Sequence, residues 1–239
     1  MKQLQGKTAL ITGASGGIGR ALAIKLAEAG ANLALAGRDE TKLSESCALV
    51  RTEGVDAVML PGDLCAPGQP DECVRRAIEV YGRLDILINN AGAVLVKPFE
   101  EITADEYDRV MAINVRAPFQ LCQAALPYLR ETKGAILNIG SVVSHKHYPM
   151  QSVYGASKHA LLGFSKALAA EVWRDGIRVH MLCPGAVSTD MAGAVRPNLD
   201  ADELIQTEEL AEVALFLLTR KTAVIDEVLV HRPGKEPFA

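Results

Sequence analysis

Thr8-Ala9-Leu10-Ile11-Thr12-Gly13-Ala14-Ser15-Gly16-Gly17-Ile18-Gly19 joins a short apolar run to a glycine-rich turn and then to a helical pattern. The run Thr8–Thr12 reads as a buried strand, and Ile18–Ala29 as the helix that follows it. Glycines between such elements let a backbone approach a pyrophosphate at the helix N-terminus, where free N–H groups and the helix dipole favour anions. A plain tight connection would also use glycine. The strand–turn–helix setting favours nucleotide binding, with Gly13, Ser15, Gly16, Gly17, Ile18 and Gly19 as the candidate contacts.

The same alternation continues outward to both ends of the chain. Further strand-like runs are Asn32–Ala36, Ala57–Leu60, Leu84–Asn89, Ala135–Ile139, Arg178–Cys183 and Val228–His231. Several are apolar throughout, as expected of strands covered on both faces of a parallel sheet. Helical patterns fill the gaps at Glu40–Glu53, Asp71–Tyr81, Asp105–Leu129, Val153–Arg174 and Glu208–Leu218. Thr103 with Glu106 forms a capping box ahead of the long fourth helix, and Gly30, Gly54, Gly82 and Gly176 fall where helices should stop. The expected fold class is α/β: a single doubly wound Rossmann-type domain over residues 1–239, with a mostly or wholly parallel seven-stranded sheet. Residues 190–206 break the rhythm after the sixth strand. Ligands bind outside the carboxyl ends of strands in such sheets, so this segment is a candidate lid, or else a plain surface connection.

Composition narrows the function. The formal net charge of −4 argues against a nucleic-acid surface. No apolar run approaches the roughly 18 residues needed to span a membrane. Met1–Lys7 leads straight into the first strand, so no secretory signal is expected. The five cysteines are scattered without a C-x-x-C pair, which reads as reduced and cytoplasmic, with neither disulfides nor metal ligands.

Two positions address the cofactor's phosphate. A carboxylate at the end of the second strand would accept the 2′-OH of NAD, whereas an arginine suits the 2′-phosphate of NADP. The sequence has Gly37 in the acid's place and Arg38 beside it, which favours NADP and leaves NAD possible. Asp39 would either cap the next helix or compete for the ribose.

Tyr154 and Lys158 stand four residues apart within Ser152-Val153-Tyr154-Gly155-Ala156-Ser157-Lys158. On a helix that spacing places phenol and ammonium on one face. A nearby positive charge favours the phenolate and should pull the tyrosine pKa below its usual value of about 10. Ser141, upstream at the end of an apolar run, could hydrogen-bond the oxygen that the tyrosine protonates. The set suits proton transfer to a carbonyl oxygen.

With these residues assembled, the chain resembles a short-chain dehydrogenase/reductase over nearly its whole length, with motifs on separate elements in the family's order. Thr12–Gly19 is similar to the family's Thr-Gly-x-x-x-Gly-x-Gly turn. Asp63-Leu64 matches the acidic position that holds the adenine. Asn89-Asn90-Ala91-Gly92 matches the Asn-Asn-Ala-Gly signature, placing Asn90, Ala91 and Gly92 against the cofactor. Asn114 matches the helix asparagine that anchors a water leading to the active-site lysine, and Ser141, Tyr154 and Lys158 match the catalytic trio. Pro184-Gly185-Ala186-Val187-Ser188-Thr189 resembles the Pro-Gly-x-Val-x-Thr segment, in which Val187 and Thr189 hold the nicotinamide carboxamide. Tyr154 and Lys158 would also contact the cofactor.

The resemblance implies hydride transfer between nicotinamide and a small carbonyl or secondary alcohol, with Tyr154 as general acid/base. It also implies a homo-oligomer, a tetramer before a dimer, for which Ala160, Leu161, Phe164, Leu168 and Trp173 on the fifth predicted helix, Val153–Arg174, offer apolar surface. The rival from another class is a catalytically idle NADP(H)-binding sensor or scaffold. An epimerase or dehydratase of the same fold is disfavoured by the chain's length. His145, His147 and Tyr148 lie on a loop expected to face the substrate, and without a fourth ligand no metal site is expected. The close of the chain, Asp226–Arg232, departs from the glycine-rich ending of many members and resembles a branch of broad ketone and 3-oxoacyl reductases.

Overall fold

Every described strand runs the same way. The computed structural model describes residues 2–195, 200–220 and 222–234, and its strands form one parallel sheet in the order β3-β2-β1-β4-β5-β6-β7. They are β1 (Thr8–Thr12), β2 (Asn32–Gly37), β3 (Ala57–Pro61), β4 (Ile86–Asn89), β5 (Ala135–Ile139), β6 (Arg178–Pro184) and β7 (Glu227–Val230). The helices are α1 (Gly17–Glu28), α2 (Glu40–Arg51), α3 (Gln69–Tyr81), α4 (Ala104–Met111), α5 (Ala117–Thr132), α6 (Ser152–Val172), α7 (Asp190–Val195) and α8 (Thr207–Thr219).

Side-chain alternation along each strand builds two cores. Ala9 and Ile11 of β1 face one layer with Leu22 and Leu26 of α1, Leu43 of α2 and Leu210 of α8. Leu10, between them, faces the other layer with Val74 of α3, Leu121 of α5 and Leu168 of α6. Both faces of the sheet are therefore dry, which is why β1 can be apolar at every position. The expected helix stops hold: Gly30, Gly54, Gly82 and Gly176 all take positive φ, from 66° to 95°, a region other residues enter only with strain.

Two readings change. The expected single helix Asp105–Leu129 is instead α4 and α5 joined by a π-helical turn, Ala112–Arg116. The capping box at its start is present, with Glu106 N–H donating to Thr103 Oγ1 at 3.2 Å and Thr103 N–H to Glu106 Oε2 at 2.9 Å. Because it is a single turn inserted between two helical segments, the pattern on either side still reads as helix. The candidate lid also carries a short helix of its own. It begins with α7 and reaches buried Ile205, whose backbone bridges to Val187, while 196–199 lie outside the described residues.

The strand order reverses direction between β1 and β4. That crevice, at the carboxyl ends, is where the loops of β1, β4, β5 and β6 converge.

Candidate active site

The glycine turn after β1 leaves almost no room for side chains on its inner side. A Cβ on Gly19 would lie 2.1 Å from the Gly13 carbonyl oxygen, and one on Gly13 would lie 2.8 Å from Asn90 Nδ2. Gly13 and Gly17 take φ of 66° and 52°. Gly16 differs: its backbone is extended, with φ at 177°, and a Cβ there would meet nothing within 4 Å. One side of the turn is thus packed against the protein, while the other opens to the crevice at the N-terminus of α1. That arrangement fits a pyrophosphate.

The turn is latched to the end of β4. Thr12 Oγ1 accepts from the Asn90 and Ala91 N–H groups at 3.0 and 3.1 Å. Asn90 Nδ2 donates back to the Thr12 and Gly13 carbonyls at 2.9 and 3.2 Å. The Asn90 side chain is therefore committed to holding the turn. Arg20, which sequence reasoning missed, is a second latch: its guanidinium reaches the carbonyls of Ser15 and Lys42 and the Ser46 hydroxyl at 2.9, 3.0 and 2.9 Å. It ties the turn to α2. Its only sequence signal is a basic residue one turn into α1.

The end of β2, where the sequence reading expects the adenosine, is equally defined. A Cβ on Gly37 would lie 2.2 Å from Ser15 Oγ, so a side chain there would have to push the turn aside. Arg38 is exposed at the strand end, and among the described residues no ion pair engages it. Asp39 resolves as the N-cap of α2, accepting from Lys42 N–H at 3.0 Å. Asp63 turns its carboxylate onto the Cys65 N–H at 3.0 Å, and Leu64 beside it is buried.

Across the crevice, α6 carries Tyr154 and Lys158 on one face. Ser141 caps a single 3₁₀ turn, Val142–Ser144, and accepts from Val143 N–H at 3.2 Å. Its side chain also lies within hydrogen-bonding reach of the Tyr154 phenol. Lys158 Nζ lies 5.8 Å from the Tyr154 ring centroid and donates to the Ile139 carbonyl at 2.9 Å.

The expected pull of Lys158 on Tyr154 is outweighed in the structure. Enclosure raises the Tyr154 phenol above its ordinary range, and the Ser141 hydrogen bond only partly offsets it. Burial also lowers Lys158 to about 8. The physical reason is shared: desolvation penalises charge on both groups, and Lys158 spends its charge on a carbonyl.

Asn114 occupies the π turn and is buried, with Ala93 N–H donating to its Oδ1 at 2.8 Å. Its Nδ2 donates to the Ala93 carbonyl and to Ser157 Oγ at 2.8 and 2.9 Å. Gly92 packs between this amide and Lys158, a Cβ there lying 3.1 Å from Asn114 Oδ1. Beneath the site runs a buried chain that no motif announced: Asn89 Nδ2 donates to Asn138 Oδ1, and Asn138 Nδ2 to Ser165 Oγ, each at 2.8 Å. It fixes the ends of β4 and β5 to α6.

Pro184 ends β6, and the next residue's N–H, that of Gly185, bonds the Val230 carbonyl at 2.8 Å. Val187 is buried, and Thr189 Oγ1 donates to the Val187 carbonyl at 3.3 Å. Thr189 Cγ2 would lie 3.0 Å from a Cβ on Gly17. The Pro184–Thr189 segment thus arches over the glycine turn and roofs the crevice. His145, which follows Ser141, meets Cys183 of β6 and Glu227 of β7, a grouping the sequence reading did not contain.

A nucleotide cradle facing a serine–tyrosine–lysine cluster at the switch point of a parallel sheet defines a dinucleotide-dependent oxidoreductase. The comparisons agree: the short chain dehydrogenase family model matches residues 7–200, and the chain belongs to that family. It is 36% identical over 204 residues to an uncharacterized oxidoreductase of Thermotoga maritima, covering 84% of this chain and 80% of that one. The solved structure of a metagenomic short-chain oxidoreductase in complex with NADP superposes with a TM-score of 0.86 at 30% identity, over 98% of this chain and 100% of the other. An alcohol dehydrogenase from Thermococcus sibiricus complexed with 5-hydroxy-NADP gives 0.89 at 28%, over 97% and 98%.

Proposed function

We propose that this enzyme interconverts a carbonyl compound and its secondary alcohol using NADP(H), with Tyr154 moving the proton. The observation that carries the reading is the grouping of Tyr154, Ser141 and Lys158, with Lys158 Nζ 5.8 Å from the Tyr154 ring centroid and 3.9 Å from where a Cβ on Gly92 would lie. A phenol raised above its usual range keeps its proton at neutral pH, so the resting form is an acid ready for carbonyl reduction. Ser141 Oγ–H can turn to the same substrate oxygen, and a preorganised donor to a developing oxyanion contributes several kcal/mol. Lys158 holds the ribose hydroxyls and supplies positive charge as the phenol loses its proton. Asn114 fixes the Ala93 backbone and Ser157, and through them the floor on which Lys158 sits. When bound, the nicotinamide supplies or accepts the hydride.

NADP is the preferred cofactor in this reading. Gly37 leaves no acid to repel a 2′-phosphate, Asp39 is occupied as a cap, and Arg38 is free to meet the phosphate with charge-assisted hydrogen bonds. The NADP carried by the similar solved structures supports this. The segment from Asp190 acts as a lid over the bound cofactor, supported by the Thr189 contact with the glycine turn and by Lys42 Nζ lying 3.8 Å from Asp190 Oδ2.

No described helix is long and apolar enough to cross a membrane, and the five free cysteines support a reducing, cytoplasmic setting. Assembly is proposed through the α4–α5–α6 face. Leu161 and Leu168 are core residues, which weakens the expected apolar stripe. Phe119 and Tyr107 nevertheless stay 50% and 46% exposed, and Phe119 packs on Phe164 with centroids 5.5 Å apart. Sedimentation that finds only a 25.5 kDa species would refute assembly. The catalytic proposal is tested by screening ketones, 3-oxoacyl thioesters and sugars for NADPH consumption. Tight NADPH binding with no turnover across that panel would overturn it.

A further inference from the structure

Behind the catalytic loop, three side chains of metal-binding type converge from distant parts of the chain. His145 closes the 3₁₀ turn that Ser141 caps, Cys183 sits near the end of β6, and Glu227 opens β7. The parallel register pairs Met181 with Glu227, so Cys183, two residues on, shares a sheet face with Glu227. The Nε2, Sγ and Oε1 atoms all lie within 4.8 Å of one another.

We propose that His145, Cys183 and Glu227 form a binding site for a borderline-soft divalent cation, zinc above all. Geometry, ligand chemistry and access support it. Zinc bonds of about 2.3 Å to sulfur and 2.0–2.2 Å to nitrogen or oxygen, at tetrahedral angles, require ligand–ligand edges of roughly 3.3–3.7 Å. Cys183 Sγ and Glu227 Oε1 stand 3.5 Å apart, which is one such edge already formed. His145 Nε2 also contacts this Glu227 oxygen, so the imidazole must shift outward to open the second edge. A side chain that is 31% exposed can do that.

The donors suit zinc in kind as well as in place. One sulfur, one imidazole and one carboxylate form a mixed set that hard cations such as magnesium or calcium disfavour. Burial pushes the free Cys183 thiol up to about 12, while the neighbouring Ser144 side chain and Ser141 backbone N–H act in the opposite direction, so the cation itself must supply the charge that holds the thiolate. Cys183 is fully buried whereas Glu227 retains 19% exposure, so an ion would enter from the His145 side. With three protein ligands, a fourth position would stay open to water. On binding, the Cys183 S–H bond breaks, its proton passes to solvent and a sulfur–zinc bond forms, with no change of oxidation state. The ion would pin the loop carrying Ser141 to both β6 and β7.

The test uses tag-free, chelator-treated full-length protein titrated with Zn²⁺ and with Co²⁺ as a spectroscopic substitute. One equivalent of Zn²⁺ should bind at micromolar concentration or tighter and raise the unfolding temperature. Co²⁺ should develop a near-ultraviolet thiolate-to-metal charge-transfer band that is absent in Cys183→Ser. His145→Gln and Glu227→Gln should each weaken Zn²⁺ affinity by at least about tenfold. Failure to retain Zn²⁺, a band that survives in Cys183→Ser, or unchanged affinity in His145→Gln would each overturn the proposal. Should Cys183→Ser fail to fold, the partly exposed His145→Gln still decides.

Discussion

The two ends of the sheet treat buried polar groups in opposite ways. At the amino ends, Asp85, Arg178 and Thr132 each find partners within the fold, with Arg220 Nε the exception, buried and unpartnered among the described residues. Asp85 is 4% exposed and accepts from Lys7 Nζ and Thr8 N–H at 2.9 Å each and from Arg83 at 2.8 Å. Arg178 donates to the Arg220 carbonyl at 2.9 Å, and Thr132 Oγ1 to that of Leu84 at 2.8 Å. At the carboxyl ends, charge and proton affinity are left underused: Tyr154 is raised, Lys158 is lowered to about 8, Arg38 faces solvent and the glycine turn opens on one side. One sheet supplies the apolar frame for both ends. Mutual satisfaction at the first end stabilises the chain, and its absence at the second leaves groups able to bind and react.

The sharpest way to break this contrast is Tyr154→Phe. It should lower kcat by about 10²–10⁴-fold, with the unfolding temperature and NADPH affinity close to wild type. Retention of a tenth of wild-type kcat would remove Tyr154 from the proton-transfer role. Next comes cofactor choice: Arg38→Ala should cost about 1.5–3 kcal/mol of NADPH binding, roughly 10- to 150-fold, and leave NADH activity largely unchanged. A wild-type kcat/KM higher with NADH than with NADPH would show that Arg38 does not read the phosphate.

Asp85→Asn probes the other end and should invert the phenotype, costing about 1–3 kcal/mol of stability with turnover intact. Burial by itself would raise the Asp85 carboxyl, but hydrogen bonds from Arg83, Lys7 and Thr8 outweigh it and lower the pKa. A carboxyl lowered by folding contributes stability above its unfolded pKa of about 3.9, and that contribution is lost as pH falls through the folded value. Denaturant unfolding of both proteins across pH should therefore show the wild-type advantage shrinking below about pH 4. A constant gap would refute the ion-pair account. The smallest effect is a paired control within the glycine turn. Gly19→Ala should cost about 1–3 kcal/mol in stability or cofactor affinity, because its Cβ meets a carbonyl at 2.1 Å. Gly16→Ala, open and extended, should stay within about 0.5 kcal/mol for stability, and equal losses in the two would dissolve the distinction between packed and open sides.

Much of this was readable from local sequence, because its causes are local. Gly30, Gly54, Gly82 and Gly176 mark helix ends through their own backbone freedom, and Thr103 with Glu106 caps a helix within four residues. Strand alternation reports both dry faces of the sheet, and the Tyr154–Lys158 spacing follows from helical pitch alone. The class of protein, its cradle and its catalytic candidates all follow from such signals. Tertiary structure decided what depends on partners far along the chain. Asn114 sits in a π turn inside a stretch that reads as helix, and Asn90 is spent on a turn 77 residues away. Leu161 and Leu168 are core because the sheet meets that face of α6. The sign of the Tyr154 shift depended on how much water the fold removes from phenol and ammonium together. His145, Cys183 and Glu227 share one site only because β7 lies in parallel register beside β6. Hydrophobic pattern and backbone preference act over a few residues, whereas desolvation and convergence exist only once the chain has closed on itself.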